Sequence, residues 1–350
     1  MPALTKEIAI AIGKKQQSDL VTPLVAADMI RLRQTNAEIP TPEFIREDDS
    51  QDIGTDIYAT DTFKSHIKQA VPFAARLSSA NFALLTTFGC GSTSKSAAGS
   101  GFKYTSSAPQ LADLVTNDLD LPSTTIAATV RQGGSAVTDK ALIGVALEEF
   151  GLSFKSGPGR DNATVTSSWM GIGKYASPST ITMPAATTEC SLNSGQMTEL
   201  SILSVDYITN QRFLSLDLTF KNNIRDGLMY FPGSGSQDDF QIGGRIWRGV
   251  PVITCKADVL VAAGGSEESD LIAGTEGVLT FTIVGAAISG GAFHTAKVTL
   301  HRCQIKAAPI GDQDGLVKYA LDITPLRHVS NGYATFEATT DLDDILTVAS

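Results

Sequence analysis

Residues 213–220 read Phe-Leu-Ser-Leu-Asp-Leu-Thr-Phe, and this stretch decides the fold class. Apolar side chains occupy every second position from Leu214 to Phe220, and the positions between them carry the polar side chains of Ser215, Asp217 and Thr219. A period of two places alternate side chains on opposite faces of a β-strand. The stretch therefore predicts a strand with one face in a core and one polar face turned away from it.

The same alternation recurs along the chain after about residue 102. It predicts further half-buried strands within residues 143–154, 163–170, 253–261, 279–283, 296–300, 317–323 and 334–338. The apolar phase slips at Glu148 and Glu149, which predicts a β-bulge. Eight or more half-buried strands fold as antiparallel sheets packed on one another. We therefore predict a mainly β chain, an antiparallel sandwich or barrel with one short flanking helix and long loops.

Residues 61–88 carry the strongest helical pattern. Asp61 is a possible N-cap, and Phe63, Ile67 and Val71 recur at helical spacing until Pro72 interrupts them. A second helical stretch at residues 79–88 is expected to end at Gly89. In this interpretation residues 1–60 form an N-terminal arm and irregular segment. Residues 61–350 form one β domain with a polar insertion near residues 176–201.

The chain carries a formal net charge of −10, with 42% hydrophobic and 18% charged residues. This composition argues against disorder and against a protein that grips nucleic acid through its phosphates, because such surfaces need a positive excess. Residues 1–175 have a net charge of −2 and residues 176–350 a net charge of −8. Either the second half has a solvated acidic surface, or that surface repels a polyanion or meets a basic partner.

No catalytic, cofactor or metal motif stands out in the sequence. His301 and Cys303 lie two apart in a predicted strand and would share a face, but two ligands do not make a zinc site. Asp312 and Asp314 begin like a calcium loop without its later ligands, so a hairpin turn explains them better. The four cysteines form no CxxC pair and are expected to be inert thiols. We expect the chain not to be an enzyme.

Several stretches resemble the tail tube proteins of tailed bacteriophages. The resemblance covers most of residues 63–345 and is carried by residues 71–89, 102–109, 121–134, 141–175 and 205–225. The strand within the last of these ranges ends in Asn222-Asn223. Residues 318–344 resemble the closing strands of that family. Residues 1–60 and 176–201 have no clear match to it.

The resemblance implies a virion structural protein, made in the host cytoplasm and located in the phage tail. Copies would form hexameric rings that stack into a tube, with other tail proteins at the two ends and no membrane insertion by this chain. Double-stranded DNA would pass through the lumen at ejection without specific binding. Ser215, Asp217 and Thr219 are then candidate lumen-facing residues. Met183, Leu192 and Met197, the apolar residues of the polar insertion, are candidates for an inter-subunit contact loop.

Two alternatives remain open. Another virion structural protein, such as a capsid decoration or baseplate component, would not form tubes. A β-sandwich module that binds carbohydrate would need exposed aromatic side chains clustered on one face, and only 7% of the residues are aromatic.

Overall fold

A computed structural model describes most of the chain. The described residues are 6–20, 22–31, 33, 36–37, 43–48, 62–109, 120–132, 135–157, 162–171, 173–176, 181–187, 189–224 and 246–348, and for 6–7, 36–37, 43–48, 62–69, 132 and 135–137 they are described by their backbone alone. The chain is mainly β, as its alternating pattern predicts, with antiparallel pairing between the strands.

The strands, in chain order, are β1 Lys6–Gly13, β2 Met29–Ile30, β3 Asn36–Ala37, β4 Glu43–Asp48, β5 Thr62–Arg76, β6 Ser94–Ala98, β7 Gly101–Ser107, β8 Thr124–Gln132, β9 Ser135–Lys155, β10 Ala163–Gly171, β11 Tyr175–Ala176, β12 Met197–Ile202, β13 Val205–Asp206, β14 Phe213–Lys221, β15 Val252–Leu260, β16 Glu276–Ile288, β17 Ala292–Ala307, β18 Ile310–Gln313, β19 Leu316–Pro325 and β20 Ala334–Thr340. The helices in the described part are α1 Ser79–Cys90 and α2 Glu267–Ala273.

The strands pair into two layers that are joined along one edge. One layer runs β5-β10-β9-β14-β15-β19, and the other runs β12-β16-β17-β20-β7-β6. The layers join at β17, which pairs with β20 through its first half and with β19 through its last residues. Phe150 and Phe220 of the first layer pack against Phe336 of the second, with ring centroids 5.7 and 6.0 Å apart. The core therefore lies between the layers.

Helix α1 lies inside the protein rather than on its flank. All 12 of its residues are buried, and it contacts β9 on one side and β7 and β20 on the other. Ser78 and Asn81 form a capping box at its start, and Gly91 ends it in the left-handed conformation at φ 77°. A helix that is apolar on every face is stable only when it is buried, as α1 is.

The helical prediction for residues 61–72 is wrong, because residues 62–76 form β5. Val71, Phe73 and Ala75 are buried, whereas Ala70 and Pro72 are exposed and Ala74 is half-buried. Alanine fits either period, so the alternation was hidden in a stretch that also satisfied helical spacing. The predicted helix at residues 79–88 is confirmed and continues one residue past Gly89.

The N-terminal arm is partly built into the sheets. Strand β1 pairs with β8 along its length and buries Ile10 and Ile12. The predicted bulge is confirmed: Ser168 pairs with Glu149 and Trp169 with Leu147, which leaves Glu148 without a counterpart on β10. Because the bulge reverses the phase of β9, Leu147 and Phe150 both point into the core.

Candidate assembly surfaces

The outward side of β9, β14, β15 and β19 forms one continuous polar face. Ser215, Asp217 and Thr219 share this face. They alternate along β14 with Leu216, Leu218 and Phe220, which are fully buried. Asp217 is exposed and the other two are half-buried. The three residues singled out from the sequence therefore lie together. Whether this side of the sheet faces a lumen stays a prediction.

The charges on the polar face balance. Its outward positions carry four acidic and four basic side chains: Glu149, Asp217, Asp258 and Asp322, and Lys155, Lys221, Lys256 and Lys318. Neighbouring strands place opposite charges side by side, since Lys256 pairs in register with Asp217 and with Asp322. Lys318 Nζ lies 2.7 Å from Asp258 Oδ2. The net charge of −10 therefore resides elsewhere on the chain.

The apolar residues of the polar insertion are used inside the subunit. Leu192 is 1% exposed and Met197 is 6% exposed, both in the main core, while Met183 is half-buried against a small cluster that contains Leu24 and Met29. This burial corrects the expectation for Leu192 and Met197, whose side chains are covered by their own chain and cannot contact a neighbour. The sequence did not reveal this burial, because the insertion has no regular apolar period and is anchored by single side chains.

The insertion holds the start of helix α1. Leu192 donates its backbone N–H to the carbonyl of Leu77, and Ser79 donates its N–H to Cys190. Ser78 Oγ donates to a carboxylate oxygen of Glu189 at 2.6 Å. The insertion thus supplies partners to backbone groups beside the first turn of the helix.

One pair in the structure has the composition of a nucleophile and a base. Ser79 Oγ lies 2.8 Å from His294 Nδ1, a pair that sequence reasoning missed because 215 residues separate its members. Ser79 is 0% exposed and His294 is 8% exposed. A substrate cannot reach a hydroxyl that is fully covered, so the pair serves as a buried hydrogen bond.

The predicted shared face of His301 and Cys303 is wrong. Leu300 pairs with Leu279 and Cys303 with Gly277, so a bulge places His301 and Arg302 opposite a single residue. Leu300 and Cys303 therefore both point into the core, and His301 points outward to Thr335. Burial lowers the pKa of His301, and the nearby ring of His328 lowers it further. Among the residues whose positions are given, no three histidine, cysteine or acidic side chains gather as a metal site would require.

The four thiols are free, as the sequence predicts. Cys90, Cys255 and Cys303 are buried, and burial raises the pKa of Cys90 and of Cys303 to about 12. A thiol with such a pKa is not a nucleophile at neutral pH.

Two strand pairs, β4–β5 and β18–β19, offer edges at the ends of the first layer among the strands described. Residues 62–68 of β5 pair with β4, whereas the pairing of β5 with β10 begins at Gln69. At the other end, β18 pairs with β19 alone among the strands described. The turn between β18 and β19 is Asp314-Gly315, with φ of 50° and 82° at the two residues. This confirms the hairpin turn expected at residues 312–315.

A cleft opens where the first layer splits. The pairing of β15 with β19 stops at Cys255 and Ile323, because β15 continues along β14 while the end of β19 stays paired with β17 on its other edge. The gap has a volume of about 430 Å³. Its walls include Val252, Ile253, Lys256, Lys306, Thr324 and Pro325.

No helix in the part of the chain that the structure covers is long and apolar enough to span a membrane. Comparison of the sequence with models of known protein families and with curated proteins finds no match.

Proposed function

We propose that this chain is the building block of a tube through which duplex DNA passes, assembled from stacked rings of identical subunits, as in a phage tail. The polar face is the observation that carries the proposal. It is the outward side of a four-stranded sheet with four acidic and four basic side chains, on a chain that is acidic as a whole. A wall of this kind neither grips phosphates nor strongly repels them. In the ring the polar face lines the lumen.

The edges of the first layer support a closed ring. An exposed strand edge presents unpaired backbone groups that pair readily with another chain. The β4–β5 strand pair and strand β18 lie at opposite ends of this layer. Joining one end of a copy to the other end of the next gives a heterologous contact, and such a contact forms a cyclic ring when the rotation between copies closes. Six copies per ring is the number that the tail-tube resemblance implies.

A carbohydrate-binding module is less well supported. Phe293, 49% exposed, is the sole aromatic side chain in the exposed class across the residues with described side chains. Trp169 is fully buried under Phe88. Sugar recognition by a sandwich face needs several aromatic platforms together.

Electron microscopy of the purified protein at high concentration tests the proposal, with sedimentation velocity as the quantitative readout. We expect rings and open-ended tubes with a lumen wide enough for duplex DNA. A protein that stays monomeric at every concentration would overturn the proposal. Discrete closed oligomers that never elongate would instead favour a capsid decoration or baseplate component.

A further inference from the structure

The β18–β19 hairpin carries apolar side chains that the described residues of its own chain leave uncovered. The inward face of β19 comprises Tyr319, Leu321 and Ile323, which are buried. The same face continues to Val317 and, across the hairpin, to Ile310, which are 52% and 67% exposed. The core face of the sheet therefore runs past the end of the core. Asp312, which pairs with Val317, lies on the same face, so the exposed surface combines two apolar side chains with a carboxylate.

The tip of this hairpin is acidic. Asp312 and Asp314 are both exposed, and no basic residue lies between Ile310 and Val317. Asp312 Oδ1 accepts a hydrogen bond from the backbone N–H of Gly315, so it also holds the turn. The hairpin thus presents two apolar side chains behind a negatively charged tip.

The cleft between β15 and β19 has the complementary character. Its apolar wall includes Ile253, Pro325 and Val252, the last 46% exposed. Its charged residues are Lys256, Lys306 and Asp322, a net charge of +1. Asp322 pairs in register with Lys256, which leaves the exposed Lys306 as the excess positive charge.

The hairpin and the cleft lie at opposite ends of one strand. Strand β19 begins at Leu316 in the hairpin and ends at Pro325 in the cleft. At about 3.3 Å per residue the two sites are roughly 30 Å apart. A second copy displaced along this strand by about its length would bring its hairpin to the cleft of the first. Such a contact is heterologous and repeats without end.

We propose that the cleft between β15 and β19 receives the β18–β19 hairpin of a second copy of this chain, head to tail. Ile310 and Val317 pack against Val252 and Pro325, and Asp314 approaches Lys306. This inference rests on the proposed function, because it supplies the contact between successive rings. It also gives the tube a direction, since every hairpin points the same way.

Two variants each alter one side of the proposed contact. The hairpin variant is Ile310→Ser with Val317→Ser, and the cleft variant is Val252→Ser with Lys306→Glu. All four side chains are at least partly exposed, so both variants are expected to fold. Ile272→Ser, at a side chain that is 79% exposed on α2, is the matched control. We expect each variant to raise the concentration needed for stacking roughly ten-fold or more, because every ring repeats the contact once per subunit.

Mixing the two variants gives the decisive readout. The hairpin variant keeps an intact cleft and the cleft variant keeps an intact hairpin. Rings of the two variants should therefore pair in the mixture while neither elongates into tubes. Electron microscopy counts single rings, paired rings and tubes, and sedimentation velocity gives their proportions. A charge exchange, Lys306→Glu with Asp314→Lys in one chain, should restore part of the stacking that Lys306→Glu alone removes.

The outcomes distinguish this inference from the proposed function. If both variants form normal rings that stack like the unmodified protein, the docking proposal is wrong and the ring proposal stands. If the unmodified protein forms linear head-to-tail chains without rings, and both variants abolish them, the docking stands and the ring proposal fails. A protein that never assembles overturns both.

Discussion

The side-chain amide of Asn222 donates a hydrogen bond to the backbone carbonyl of Gly89 at 3.1 Å, in the last turn of the buried helix α1. Its second hydrogen bond, at 3.0 Å, goes to the carbonyl of Leu147, beside the bulge in β9. Asn222 is fully buried. One side chain at the end of β14 therefore ties the helix to the bulged strand, in a place where neither carbonyl can reach water.

Replacement of Asn222 by alanine should lower the free energy of unfolding by about 2–4 kcal/mol, because it leaves two buried carbonyls without a donor. Asn222→Asp should be comparably harmful, since an ionised carboxylate cannot donate. Urea denaturation measures both. Asn210→Ala, at an exposed turn position, is the control and should change stability by less than about 0.5 kcal/mol. Equal stability of Asn222→Ala and the control would contradict this role.

A buried ion pair fixes α2 to the start of β14. Glu267, 1% exposed, accepts hydrogen bonds from the guanidinium of Arg212 and, at 3.0 Å, from the hydroxyl of Tyr207. Glu267→Ala should cost about 3–5 kcal/mol, because it leaves the buried cation of Arg212 uncompensated. Glu268→Ala, next to it but exposed, should cost less than about 0.5 kcal/mol. Thermal unfolding of the two variants, measured side by side, tests this difference in stability.

The protein should lose stability in alkali. Burial raises the pKa of Cys90 and of Cys303 to about 12, and an unfolded thiol ionises near pH 8.5. The folded state therefore holds these protons more tightly, so the stabilisation is fully present below about pH 8 and is lost as the pH rises towards 12. Each thiol contributes a slope of up to about 1.4 kcal/mol per pH unit.

Urea unfolding with reductant at pH 8, 9 and 10 checks this dependence. Cys303→Ala should be less stable at pH 8 because of the cavity it leaves, but its stability should fall less steeply with pH. A variant with the same slope as the unmodified protein would show that other groups cause the loss.

Leu192 should matter for folding rather than for assembly alone. Its side chain lies in the core, so Leu192→Ala should cost about 2–5 kcal/mol in the monomer even though the backbone hydrogen bond to Leu77 is kept. Removal of residues 179–196 should then prevent folding altogether. Thr182→Ala, at an exposed position of the same insertion, is the control. Circular dichroism during denaturation separates a folding defect from a failure to polymerise.

The strands were predictable where burial follows a strict period of two. Residues 216–220, 279–283 and 334–338 all lie in strands whose alternate residues are buried, and the bulge at Glu148 showed itself as a slip in that period. The period fails where another constraint takes over. In β5, Phe63, Ile67 and Val71 satisfied a helical spacing as well. In β17 the apolar phase slips between Leu300 and Cys303, but the predicted strand stopped at Leu300 and the slip was not recognised as a bulge.

Of the candidate surfaces, one was predictable from the sequence and one was not. Ser215, Asp217 and Thr219 could be placed on one face, because a face follows from the period alone. The cleft between β15 and β19 could not, since it arises where the two strands part, β15 following β14 and β19 following β17. Partner choice depends on contacts between residues far apart in sequence, which no local pattern records.

The polar face should lie inside the assembled tube, and a cysteine at position 217 can show it. Asp217→Cys places a thiol at an exposed site on this face, in a Cys190→Ser background that removes the half-buried native thiol. In tubes, a small maleimide should label Cys at position 217, whereas a maleimide carrying a long polyethylene glycol chain should be excluded from the lumen. Dissociated subunits should accept both reagents. Ile272→Cys in the same background reports on a second exposed position.

Asp217→Lys tests the charge of the same wall. It turns the balanced face positive by two charges per subunit, and a closed ring repeats that change around its axis. Tubes of the variant should bind duplex DNA at low salt and release it as salt rises, because phosphate contacts displace counterions. Unmodified tubes should bind weakly at every salt concentration. Equal labelling of position 217 by the large and small maleimides would place the polar face outside the lumen. Tight, salt-sensitive binding of DNA by unmodified tubes would show that the lumen is basic.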